Sequence, residues 1–176
     1  MNAQDMIEAA RLVRVRELQT ALTKASAENL RLRNENETLL AHFDLALLAA
    51  GDLAALPSDG KLVIVDGWNM ILGSRKEAKD RADLVAKAKA HVAEHPSDFV
   101  WIVLDGPRAS SSVSGRVRIS YTGGTGEHRA DRLVCDFLRM ALMRGDISRI
   151  EVRTNDKDFL REIGKIRRRA ERGPLP

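Results

Sequence analysis

Four short β-branched runs constrain this chain more than any other feature: LVIVD (62–66), FVWIVLD (99–105), VRISYT (117–122) and IEVRT (150–154). Helix-forming segments at about 77–95, 129–144 and 158–170 lie between and after them. The first two runs are apolar almost throughout, so a strand made from either must be covered on both faces. Apolar strands alternating with helices imply an α/β fold, a mostly parallel sheet with helices on both sides.

The first 50 residues have a different texture. They contain neither glycine nor proline and are rich in Ala, Leu, Glu and Arg, which predicts one long helix. Gly51, Pro57 and Gly60 then mark a break. The expected organisation is a helix over 1–50, a linker over 51–60 and an α/β domain over 61–176. Counting alternate steps of 3 and 4 from Val15 gives Val15, Leu18, Leu22, Ala25, Asn29, Leu32, Asn36, Leu39, Phe43 and Ala46. Eight of these ten are apolar, and both exceptions are Asn at the a position, where facing amides fix register in a parallel pair. Glu28 at g and Arg33 at the following e are placed to pair across such a seam. The expectation is a homodimeric coiled coil. An amphipathic helix folded onto its own domain is the alternative, to which Leu30 and Leu40, off the strict seam, belong more naturally.

Composition narrows the class. The net charge of +4 leans mildly toward polyanionic partners. A single cysteine, Cys135, excludes an intramolecular disulfide framework and fits a reducing compartment. Its apolar helical setting reads as a core residue. No window approaches the roughly 18 apolar residues of a membrane span, and no signal segment opens the chain. The expectation is a cytoplasmic protein without membrane attachment.

Ligands of open α/β sheets bind outside the carboxyl ends of the strands, and acids gather there in this sequence. LVIVD ends in Asp66, FVWIVLD in Asp105, and IEVRT is followed by Asp156 and Asp158. VRISYT leads through a glycine-rich stretch to Glu127 and Asp131, which share one face if a helix has begun at Glu127. Each has a simpler reading as well. Asp66 and Asp105 precede glycines and suit turns. Asp156 or Asp158 suits a helix N-cap, and Glu127 and Asp131 suit a first helical turn. Taken together, several carboxylates at one sheet edge repel unless a cation compensates. Oxygen ligands without a His/Cys set point to Mg²⁺ or Mn²⁺ rather than zinc. His128 reads as a solvated helix residue.

In that order, LVIVDGWNMI, WIVLDG, ISYTGGTGEHRAD and VRTNDKDF resemble the motifs of the NYN branch of PIN-like ribonucleases, nearest its YacP-like group, over about residues 61–165. The resemblance implies a PIN-like three-layer sandwich and metal-dependent endonuclease activity on RNA. By motif it assigns catalytic places to Asp66, Asn69, Glu127, Asp131 and Asp156, with Asp66, Asp131 and Asp156 as metal ligands and Asp105 and Asp158 as supports. Two positions depart from the family pattern: Trp68 stands where Tyr is usual, and Arg132 where a small polar or acidic residue is common.

Substrate capture is expected from positive charge. Arg116 and Arg118 flank a serine-rich segment that reads as a flexible loop. Arg161, Lys165, Arg167, Arg168, Arg169 and Arg172 crowd the C-terminal segment. No Ser-His or Cys-His arrangement supplies a nucleophile. The expected function is a metal-dependent endoribonuclease. A catalytically weak RNA-binding or scaffold protein on the same fold, or a DNA-directed nuclease, are the alternatives.

Overall fold

The computed structural model describes residues 3–71, 77–124 and 128–171. Helix α1 covers Ala3–Ala54 and is followed by β1 (Leu62–Asp66), the short α2 (Gly67–Ile71) and α3 (Glu77–Glu94). Next come β2 (Phe99–Leu104), β3 (Ala109–Ser114), β4 (Val117–Thr122) and α4 (Arg129–Arg144). A 3₁₀ turn (Ile147–Arg149), β5 (Ile150–Arg153) and α5 (Lys157–Glu171) complete the order. All four strands expected from the β-branched runs form. The chain divides into two compact units, residues 1–37 and 38–176.

In the second unit the sheet order is β3-β4-β2-β1-β5. Strands β4, β2, β1 and β5 are parallel, and β3 runs antiparallel at the edge. The chain moves outward from β1 through β2 to β4, then returns to the other side of β1 for β5. The order therefore reverses between β1 and β5, the switch point where open α/β sheets open a crevice at their carboxyl ends.

Every residue of β1 and β2 is buried, as their continuous apolar character requires. Leu62 and Ile64 of β1, with Phe99, Trp101 and Val103 of β2, pack under α4, α5 and the end of α1. Val63, Val65, Val100 and Ile102 face the other way, toward Leu84 and Ala88 of α3. Trp101 meets Phe137 of α4 edge-to-face, with ring centroids 5.3 Å apart. Because side chains alternate along a strand, Asp66, Asp105 and Thr154 all fall on the α4/α5 face.

Three features differ from the expectations. The serine-rich segment is a strand, not a flexible loop. Gly115 (φ 60°) followed by Arg116 without a positive φ makes the tight II′ connection of a β-hairpin. The largely exposed, polar β3 suits a sheet edge but carries no apolar alternation to announce it. Second, α1 continues through Gly51, and Leu45, Ala46, Ala49, Ala50 and Leu53 enter the core of the second unit. The boundary falls near residue 38 instead of in a linker at 51–60, because the last turns of the helix cover the sheet. Third, Arg118 is not available on a loop. It is buried and pairs with Asp52 of α1 through Nε and Nη2, at 2.5 and 3.0 Å. Its Nη1 donates to Ser111 Oγ (3.0 Å), which meets Ser120 Oγ, the acceptor of Trp101 Nε1 (2.9 Å). This chain of polar contacts ties α1 to β2, β3 and β4. No helix among the described residues is long and apolar enough to cross a membrane.

Removing one partner of a buried pair strands the other, so Asp52→Ala should lower unfolding stability by about 3 kcal/mol in urea titrations. A chain starting at Thr38 should still unfold cooperatively. One starting after Ala54, without Leu45, Ala49 and Leu53, should lack a cooperative transition by circular dichroism.

Candidate metal centre

Strand β1 delivers Asp66 to the carboxyl edge of the sheet at 3% exposure. Gly67 follows because the chain turns at once into α2 against β2; a Cβ there would run into the Leu104 side chain. Within that first turn Asn69 comes back over the acid. Its Nδ2 donates to Asp66 Oδ2 at 2.5 Å, and its backbone N–H approaches Oδ1 at 3.5 Å. From the neighbouring strand, Thr154 Oγ1 donates to the same Oδ2 at 2.8 Å. The buried charge is thus met by an amide and a hydroxyl, as a desolvated carboxylate demands.

Thr154 also accepts a hydrogen bond from the Asp156 N–H (3.1 Å), so one hydroxyl links the two strand exits. Asp156 is the N-cap of α5: its Oδ1 accepts from the N–H groups of Asp158 (2.8 Å) and Phe159 (3.0 Å). This leaves Oδ2 for another partner. Asp158 is largely exposed and pairs with Arg161 at 2.6 Å, a local surface contact. Asp105 has different work. Its Oδ1 accepts from Thr122 Oγ1 (3.0 Å) and from the Ala130 N–H (2.9 Å), and Arg129 Nε lies 3.6 Å away. It holds the first turn of α4 onto the sheet. Trp68 donates through Nε1 to the Asp105 carbonyl at 2.9 Å.

That anchored turn carries Asp131 toward Asp156. His128, in a left-handed backbone conformation just before α4, places Nδ1 3.1 Å from Asp131 Oδ2. One ligand atom from each of His128, Asp131 and Asp156 lies within 4.8 Å of the other two, a spacing that a single divalent cation can span. Asp66 stands outside this trio but close enough to act on it. Burial first, then the Asp66 charge, push the Asp131 carboxyl above its ordinary range, with Asp156 adding to the rise and His128 partly offsetting it. Glu127 lies outside the described residues.

Two of the three expected ligands, Asp131 and Asp156, therefore converge, and Asp66 backs them. His128 and Thr154 were missed by sequence reasoning. The one signal for His128 was its place beside Glu127, and that for Thr154 its parity with Asp66 across neighbouring strands. Beside the trio a groove of about 590 Å³ runs between α4 and α5, lined among others by Arg132, Cys135, Arg139 and Phe159. Burial raises the Cys135 thiol to about 11, leaving it protonated and inert.

The basic residues gather elsewhere. Arg116 opens β4 and donates to Ser97 O (3.2 Å), ahead of β2, at the amino end of the sheet. Arg167 donates to Ile150 O (2.7 Å), at the start of β5, and lies eleven residues along α5 from Asp156, about 16 Å. Arg168 and Arg169 follow it, exposed. Lys165 pairs with Glu162 at 3.0 Å. Helix α5 leads all four away from the acids, so they are not placed to hold a phosphate at the acidic centre; Arg172 lies outside the described residues.

No family model, curated protein or solved structure matches the chain.

The raised Asp131 carboxyl has a definite sign. Its ionisation works against folding, so the penalty is present at neutral pH and is relieved as acid protonates the group. Asp131→Asn should raise the Tm of the metal-free protein by a few degrees near neutral pH, with the gain shrinking on acidification. The same variant should lose any Mn²⁺-induced thermal shift shown by the natural chain. Differential scanning fluorimetry with and without EDTA measures both.

Proposed function

We propose that this protein is a metal-dependent endoribonuclease of the PIN-like type, related to the NYN branch that its motifs resemble. The observation that carries this reading is the meeting of Asp66, Asp131 and Asp156, from three separate elements, at the switch point between β1 and β5, close enough that Asp66 and Asp156 both raise the Asp131 carboxyl. Acids brought together at such a cost in repulsion have a use if a cation joins them.

The donor set fits a hard or borderline divalent ion: Asp131 and Asp156 offer oxygens, and His128 a nitrogen that favours Mn²⁺ over Mg²⁺. When bound, such an ion supplies Lewis acidity toward a phosphoryl oxygen and a water of lowered pKa. The chain's own residues do the positioning. Asn69 and Thr154 hold Asp66 in one orientation, keeping a fixed negative charge behind the ligands. The α5 cap fixes the Asp156 carboxylate through Oδ1, in place beside Asp131 and His128. Arg132, which departs from the family pattern, lines the same groove and is suited to bind a phosphate of the substrate chain. Positive charge at the opposite end of the sheet is then left for distant, sequence-independent contacts with a long polymer.

The test is cleavage of end-labelled single-stranded RNA and DNA with Mn²⁺, Mg²⁺ or EDTA. The expected result is RNA cleavage with Mn²⁺ that EDTA abolishes. Asp156→Asn keeps a competent N-cap, so it should leave the fold intact and lower turnover by roughly 100-fold or more. Asp158→Asn should cleave like the natural chain. Undiminished cleavage by Asp156→Asn, or preference for DNA, would overturn the assignment.

A further inference from the structure

Helix α1 exposes an apolar face that the rest of its own unit does not cover. In the unit of residues 1–37, Val15, Leu18, Leu22 and Leu32 are exposed, Leu22 by 69%. In the second unit Leu39 and Phe43 continue the same heptad, and both face solvent. The next d position, Ala46, is buried in the α/β core. There the outer face of the helix passes to the e positions Leu40 and Leu47, which flank Phe43 and are exposed. Leucines repeating at heptad spacing on an open helix face require a partner that removes them from water.

The two polar places in the seam specify the partner. Asn29 and Asn36 are seven residues apart, both at a. In a parallel, in-register pair each amide bonds its own mate. Other registers, and most unrelated helices, would leave a buried amide unsatisfied at a penalty. Glu28 at g, which within its own helix pairs with Arg31 at 2.7 Å, and Arg33 at e carry opposite charges at the rim and agree with the same arrangement. We infer that α1 docks against α1 of a second copy of this chain as a parallel two-stranded coiled coil, with its seam running from Val15 to Asn36. None of these residues belongs to the acidic centre, so this inference stands apart from the nuclease reading.

Light scattering on the full chain at tens of micromolar should give twice its 19.5 kDa mass. Val15→Cys should form an interchain disulfide under mild oxidation, because parallel a positions face each other. An antiparallel pair would set Val15 opposite Asn36, about 32 Å from its own mate. Thr20→Cys, on the outer face of the helix, should not cross-link, and Cys135 is buried and does not interfere. Leu22→Glu with Leu32→Glu should give a monomer whose α/β unit unfolds as before, both sites lying outside residues 38–176. A monomeric natural chain, a trimer or tetramer, a dimer that persists in the double variant, or equal cross-linking at positions 15 and 20 would each overturn it.

Discussion

Asp66 is a carboxylate carried into the protein on the end of an apolar strand, and much of the surrounding structure answers the demand that charge makes. Moving an ion out of water is unfavourable unless donors replace its hydration. Asn69 supplies one donor because α2 begins at once after the strand and brings residue 69 back over residue 66. Thr154 supplies another because β5 lies beside β1 in parallel register, Val65 opposite Arg153, so the residue just beyond β5 reaches the acid. The Asn69 donor is local, whereas the Thr154 donor depends on the strand order. With β5 at any other place in the sheet, Asp66 would lose a partner and Asp156 would lose its link to it.

Side chains of one type are set to different tasks by their neighbours. Asp105 and Asp66 leave adjacent strands on the same face, yet Asp105 accepts from the start of α4 and Asp66 from α2 and β5. Asp156 both caps α5 and stands in the trio, whereas Asp158, two residues on, pairs with a surface arginine. Asp131 is the acid whose neighbours leave it most unsettled: half-buried, with two other acids acting on it and a single histidine to offset them. A cation relieves that imbalance, which is the physical basis of the functional reading.

The long helix does two kinds of work. Through residues 45–53 it is a core element, burying Leu45, Ala46, Ala49, Ala50 and Leu53, and fastened by the pair between Asp52 and Arg118. Ahead of residue 38 it carries an exposed apolar stripe with two buried-type amides in register. Arginine in β4, which in isolation resembles a phosphate contact, is drawn inward by this fastening. Charge alone did not distinguish the two fates; the strand that carries Arg118 decided it.

Local and periodic information was sufficient for four of the five strands and for the longer helices. The β-branched runs became β1, β2, β4 and β5, helices α3, α4 and α5 fell within about two residues of their expected bounds, and acids stood at strand ends as read, because burial on both faces and helix propensity leave direct marks on composition. A cap by one of the last two aspartates was legible for the same reason. Tertiary structure decided what needs two distant segments to meet. It placed β5 beside β1, drew His128 and Thr154 into the acidic centre, turned Arg118 and the last turns of α1 into the core, and led the C-terminal arginines away along α5. A strand's pattern records which faces are covered but not which strand lies beside it, and a charged residue's partner is set by that neighbour.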